Sequence, residues 1–158
     1  MALFIVFAVI VLAAMVSSFR VVPQDTAFVV ERLGKFYQVF GPGYHFLVPF
    51  LDKVSAKVST AEQLSDIDTS GVVTADGQIV YRGMLVFYKV EAPEVFAYAE
   101  APVSAVTRTA EIELNERLAG MDQNAANSGK QKLISQITAV VSKEAKVYGI
   151  NVSRIELR

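Results

Sequence analysis

The chain has 158 residues, 53% of them apolar, with 15 basic against 16 acidic side chains, one histidine and no cysteine. That length holds one ordinary domain and a short appendage. The balanced charge, with no stretch that interleaves Lys or Arg with aromatics, gives no nucleic-acid footprint, and the lack of cysteine excludes disulfides and thiolate metal sites.

The apolar excess over the roughly 45–50% of soluble domains is concentrated in Ala2 to Phe19, eighteen residues without charge, Gly or Pro. As a helix this run covers about 27 Å, against the ~30 Å of a bilayer's hydrocarbon core. Residues 1–20 are therefore expected to form a transmembrane anchor, with Phe4, Val6, Phe7, Val9, Ile10 and Leu12 in lipid. A cleavable secretory signal is the competing reading, since Val16-Ser17-Ser18 offers small residues for cleavage. Such signals carry Lys or Arg ahead of the apolar run, and none is present here. Arg20, Arg32 and Lys35 follow the run, a bias that favours a cytoplasmic body.

Residues 21–158 are expected to form one domain. Thr26 to Arg32 reads as a strand between Pro23 and Gly34. Gly41-Pro42-Gly43 forces a turn. Tyr44 to Leu51, interrupted by Pro49, is expected to be irregular or edge structure. Asp52 to Ser59 alternates as a second strand. Val72 to Thr74 and Asp76-Gly77 suggest a hairpin whose returning strand is Ile79 to Val90. Pro93 can open a helix. A longer helix starts at Pro102, with Val106, Ala110, Leu114 and Leu118 on one face and Gly120 as its stop. Asp122 to Ser128 is a loop or helix start. Lys130 to Tyr148 is the last helix, burying Leu133 or Ile134, Ile137, Val140 or Val141, and Ala145 with Tyr148. Gly149 caps it, and Ile150 to Leu157 alternates as a closing strand. Strands first, helices next and a returning strand make an α+β domain.

Val22-Pro23-Gln24, VVERLGKF at 29–36 and GPGYHFLVPFLDKV at 41–54 resemble, in order and spacing, the stomatin, prohibitin and flotillin (SPFH, band 7) family, in its stomatin-like (slipin and paraslipin) branch. Thr74 to Gly77 and the stretch Tyr148 to Glu156 are similar to that family's hairpin and closing strand. The segment Asn115 to Asp122 departs from the family's helix signature, and the coiled coil that usually follows the domain has no counterpart before Arg158. The resemblance implies an SPFH fold with a mostly antiparallel sheet and packed helices. It also implies a membrane-anchored scaffold that self-assembles, organises membrane microdomains, or regulates membrane proteases or channels. A monomeric accessory subunit of one membrane protease or transporter is the alternative.

Tyr44, Phe46, Leu47, Phe50 and Leu51, which follow the Gly41-Pro42-Gly43 turn, are candidates for membrane contact. Composition alone leaves burial in a core equally open, and the resemblance favours contact. No catalytic constellation is expected. His45, the single histidine, sits among apolar residues with no second histidine or cysteine to complete a common site. Ser128 near Lys130 and Lys132 reads as a helix cap rather than a Ser-Lys dyad. Glu113 and Arg117, four apart, read as a helix-stabilising pair. No phosphate-binding glycine loop is present, and no cofactor or metal is expected.

Overall fold

The computed structural model describes residues 1–69 and 72–158. They form two compact units, Met1–Thr60 and Ala61–Arg158.

The first unit opens with α1, Ala2–Ser17, sixteen residues long. The chain leaves the helix directly into β1, Phe19–Val22, which pairs antiparallel with β4, Gly43–Phe46. The remaining strands are β2 (Thr26–Arg32), β3 (Lys35–Phe40) and β5 (Asp52–Ser59), an antiparallel sheet in the order β3-β2-β5. Central β2 is apolar at consecutive positions because both its faces are buried, with Ala27, Phe28, Val29 and Val30 all inaccessible. Val22, Phe28, Val30, Phe40 and Leu47 make the core of this unit, with Val54 packed against it.

The strands expected at Thr26–Arg32 and Asp52–Ser59 have those bounds. Three others lacked a clear pattern: β1 hides in the end of the apolar run, β3 exposes four of its six residues, and β6 is polar at four of its six positions. The expected irregular or edge character of 44–51 corresponds to a strand of a two-stranded ribbon followed by a turn.

The second unit contains β6 (Gln63–Asp68), β7 (Gly83–Val90) and β8 (Ile150–Leu157), antiparallel in that order, with β7 central. Between β7 and β8 run α2 (Pro93–Tyr98), α3 (Pro102–Ala119), α4 (Gln123–Ser128) and α5 (Lys130–Val147). Helix α3 buries Val106, Ala110, Leu114 and Leu118, and α5 buries Leu133, Ile137, Val141 and Ala145. Both stripes recur at three- and four-residue steps, the spacing of one helix face. They pack with Met84, Val86, Tyr88, Val152, Ile155 and Leu157 of the sheet. Pro93 and Pro102 occupy first turns, where a missing N–H costs no helical bond. Asp122 caps α4 by accepting from the Ala125 amide at 2.7 Å.

One sequence expectation is corrected here. Asp76-Gly77 does make a tight turn, in which the Gln78 carbonyl accepts from the Thr74 amide at 3.0 Å. The returning strand nevertheless starts at Gly83, and its partners are β6 and β8 rather than residues 72–74. Thr74 and Asp76 bond to each other, and Asp76 also accepts from the Gln123 amide, so the turn is tied to the start of α4 instead of to a hairpin.

Candidate functional site

Two turns close the same end of the first unit. Arg32 and Asp52 face each other on the last rung of the β2–β5 pairing. The Arg32 guanidinium donates from Nε to Asp52 Oδ1 at 2.6 Å and from Nη2 to Oδ2 at 2.9 Å, and it lies 3.8 Å from the centre of the Tyr37 ring. The same carboxylate accepts from the Val48 amide at 2.8 Å. Asp52 has only 1% of its side chain exposed, and the Arg32 fork, with the Val48 amide, holds its pKa below the usual carboxylate value. The buried carboxylate thus fixes the chain on both sides of the turn Val48-Pro49-Phe50-Leu51.

On the β2 side the chain reverses through Leu33-Gly34, with φ of 52° and 79°. Two successive residues at positive φ are what a two-residue hairpin of the twisted sheet needs, and Asn-Gly is the pair that supplies it most cheaply. Here a leucine takes the first position. On the β5 side Phe50 follows Pro49 at φ 66°, again where glycine or asparagine is usual. The Leu33 amide donates to the Leu51 carbonyl at 3.0 Å, so the two turns are neighbours. Leu33 is 75% exposed and Phe50 fully exposed. Two bulky apolar side chains therefore stand in left-handed backbone positions and project from the unit.

The β1–β4 ribbon adds a second apolar surface. Phe19 pairs with Phe46 and Val21 with Tyr44, and all four residues are exposed on one face. The Phe19 and Phe46 rings meet edge to face at 5.5 Å. The ribbon is joined to the end of α1 by the Leu47 amide, which donates to the Ser18 carbonyl at 2.9 Å. Phe4, Val6, Phe7, Val9, Ile10 and Leu12 are exposed on α1, so apolar side chains cover the helix all round.

Of the residues expected at a membrane, Tyr44, Phe46, Phe50 and Leu51 are exposed. Leu47 is not. It is 8% exposed and packs in the core with Val22, Phe28, Val30 and Phe40, because it follows β4 on the inward side of the ribbon. Leu33 was missed, since a leucine before glycine disguises a hairpin turn otherwise suggested by the two strand-like runs around it. Gly41, Pro42 and Gly43 do turn the chain, Gly43 at φ 131°. His45 braces that turn: Nε2 donates to the Gly41 carbonyl at 2.8 Å, and the ring stacks on Phe40 at 4.3 Å.

Among the described residues no helix is long and apolar enough to cross a membrane. At sixteen residues α1 covers about 24 Å, and it ends at Ser17, two residues short of the expected run, with Phe19 entering β1. Among the described residues nothing points to catalysis. No group of three or more His, Cys, Asp or Glu among the described residues could hold a metal. Ser128 donates back to the carbonyls of Asn124 and Ala125, while Lys130 Nζ donates to the Leu157 carbonyl at 2.9 Å, so the two form no dyad. Glu113 and Arg117 make the expected pair at 2.8 Å.

The SPFH domain / Band 7 family model matches residues 20–158. The stomatin-like protein stl-1 of Caenorhabditis elegans is 29% identical over 138 residues, 87% of this chain and 43% of that protein. The human mitochondrial stomatin-like protein 2 is 27% identical over 138 residues, again 87% of this chain and 39% of the relative. An uncharacterized protein of Schizosaccharomyces pombe is 29% identical over 140 residues, 88% of this chain and 40% of its own length. The chain thus spans about two-fifths of the length of the relatives it matches. A family model that runs from within β1 through every element after it, together with stomatin-like relatives along most of the sequence, shows that the chain belongs to the SPFH domain / Band 7 family.

Proposed function

We propose that the protein is a membrane-anchored, non-enzymatic scaffold whose first unit lies against the bilayer. The observation that carries this reading is the set of exposed apolar side chains on α1, on the β1–β4 ribbon bonded to its end, and at the neighbouring Leu33 and Phe50 turns. A helix that is apolar all round needs either protein or lipid around it. With α1 in lipid as a single-pass anchor, its shortfall against the ~30 Å core is absorbed by local thinning, at fractions of a kcal/mol per Å. Tyr44 and Phe46 then lie at interfacial depth, where aromatic side chains are favoured. The body is assigned to the cytoplasmic side on the basic residues that follow the helix.

Anchoring confines the domains to two dimensions and raises their effective concentration, so that weak lateral contacts build a homo-oligomeric patch able to organise lipids or hold a membrane protease or channel. Val9→Arg tests the anchor. A charge at a helix centre costs about 2.5–3.5 kcal/mol on insertion scales, and the variant is expected to leave the membrane fraction; full retention would sink the anchor. Light scattering in mild detergent tests the assembly. A discrete large oligomer is the expected result, whereas a monomer would favour an accessory subunit of one membrane partner.

A further inference from the structure

The two three-stranded sheets have four edge strands, β3 and β5 in the first unit and β6 and β8 in the second. Proteins blunt such edges with Lys, Pro or bulges, which spoil a template for further pairing. β3, β5 and β8 each carry Lys or Arg, and each joins its sheet through a ladder with a register shift. β6 (QLSDID) has no Lys, Arg or Pro, and its pairing with β7 runs without a shift. That ladder continues as the Thr69 amide donates to the Arg82 carbonyl at 3.2 Å. Alternation therefore turns the main-chain groups of Gln63, Ser65 and Ile67 toward β7 and those of Leu64 and Asp66 outward. Among the described residues nothing bonds to those outward groups. On β8, where Gly83 and Arg158 exchange both their main-chain bonds, the outward Leu157 carbonyl is closed by Lys130 Nζ at 2.9 Å. The core also thins toward β6: Gln63, Ser65 and Ile67 are half-buried, while their partners Tyr88, Val86 and Met84 are closed to solvent.

We infer that the β6 edge takes a basic, extended strand of a partner protein, which adds to the sheet beside β6. Charge selects that partner. Leu64, Asp66 and Asp68 share the outer face and are all exposed, and exposed Glu62 precedes them. Antiparallel pairing of two β6 strands through the outward groups sets acid against acid in each central register. Glu62 lies opposite Asp66 when Leu64 meets its own copy, Glu62 opposite Asp68 when Leu64 meets Asp66, and Asp66 opposite Asp66 when Leu64 meets Asp68. Like charges directly opposite destabilise a pair, so a second copy is the wrong occupant. Lys or Arg opposite Asp66 and Asp68 makes the same positions favourable, and apolar residues at the alternate positions extend the core beyond Ile67. The ion pair of Asp66 with Arg158 joins two exposed side chains and is weak enough to give way. This surface deepens the partner-holding reading above and rests on it only for the partner's being a membrane protein.

The test uses the full chain in mild non-ionic detergent and three short peptides: one alternating Lys with Val, one with Glu in place of Lys, and the Lys form with its central Val residues replaced by Pro. Binding is read by fluorescence anisotropy of labelled peptide and located by amide hydrogen exchange. The Lys form is expected to bind and to slow exchange of the Leu64 and Asp66 amides, with the Glu and Pro forms weaker by about tenfold or more. L64P removes an outward donor that makes no bond in the sheet, a position at which an edge strand accepts proline. It is expected to abolish binding while the melting temperature stays unchanged. D66K keeps every main-chain group and is expected to turn the preference from the Lys form to the Glu form. Equal binding of the Lys and Glu forms, protection that does not fall on Leu64 and Asp66, or undiminished binding in L64P and D66K overturns the inference. So does exchange at these amides that slows with rising protein concentration and without peptide, which would assign the edge to a second copy. Val9→Arg leaves β6 intact, so peptide binding persists in that variant and failure of the edge is distinguishable from failure of the anchor.

Discussion

The two units use apolar side chains in opposite ways. In Ala61–Arg158 the apolar stripes of α3 and α5 are spent on the core, with Leu114, Leu118, Ile137 and Val141 fully buried against the sheet. In Met1–Thr60 a small core of five buried residues coexists with exposed Phe19, Val21, Leu33, Tyr44 and Phe50. Two of these also stand at unfavourable φ. Burial explains the α3 and α5 stripes of the second unit, which also exposes Leu64, Tyr98 and Val147, whereas the first places apolar groups at strained turns where folding alone would not put them. The comparison teaches that one unit is arranged for its own stability and the other for a surface outside itself.

The largest expected effect comes from breaking the unit built for stability. Gly149 has φ 72°, and a Cβ there would stand 2.5 Å from the Ala92 carbonyl oxygen. That backbone approach is fixed, because the Gly149 carbonyl accepts from the Glu91 and Ala92 amides at 2.9 and 3.1 Å. Gly149→Ala therefore adds both left-handed strain and overpacking, about 2–5 kcal/mol together. Urea denaturation of the full chain should show a much lower midpoint. An unchanged midpoint would mean that the β8 junction yields freely.

Next in size is the clamp beneath the projecting turns. Asp52 has its folded pKa depressed by Arg32 and the Val48 amide, so its stabilising contribution is present above the unfolded value of about 4 and is lost as pH falls through the folded value. Asp52→Asn is expected to cost about 1–3 kcal/mol at neutral pH, since a charge-assisted bond is lost in a buried place. It should also remove this residue's share of the acid-side decline. Urea midpoints of wild type and variant measured from about pH 7 to about pH 3 should converge as acid is approached. Parallel curves would show that Asp52 does not carry that slope.

Much of the second unit was legible because its signals are local and repeated: a helical stripe survives any single ambiguous position, and Pro102 and Gly120 bracket α3 as expected. The first unit was legible only where strands were uninterrupted, as at Thr26–Arg32 and Asp52–Ser59. Strand β1 was hidden because an apolar sequence entering a sheet looks the same as one continuing a helix. Leu47 and Phe50 illustrate the deeper reason. They are three residues apart in one apolar cluster, yet one is core and the other fully exposed, and the difference is made by Asp52 and Arg32, twenty residues apart in sequence. Nothing in the cluster itself encodes that contact.

The contrast between the units sharpens at Phe50. If the side chain serves contact rather than folding, Phe50→Gly should relieve the φ 66° strain and stabilise the protein by about 0.5–1 kcal/mol, the left-handed cost less the added chain entropy of glycine. Membrane contact should weaken in the same variant. The chain has no tryptophan, so Phe50→Trp gives a single emission probe. In vesicles carrying the full chain its fluorescence should be quenched by brominated lipid, and an unquenched probe would remove Phe50 from the bilayer.

Leu33 makes the same argument with the smallest effect and the cleanest separation. It holds the first position of a two-residue hairpin at φ 52°, directly before Gly34 at φ 79°. Leu33→Asn creates the pair this turn geometry favours and removes exposed apolar surface without touching the core. Stability should rise by a few tenths to about 1 kcal/mol, read as a higher urea midpoint in detergent. Over the same substitution, quenching of the Phe50→Trp probe by brominated lipid should fall, because the neighbouring turn no longer presents a leucine to the bilayer. A gain in stability with unchanged quenching would leave Phe50 as the contact and Leu33 as a strained turn with no partner in the membrane; a loss of stability would mean that Leu33 is held by packing its exposure does not reveal.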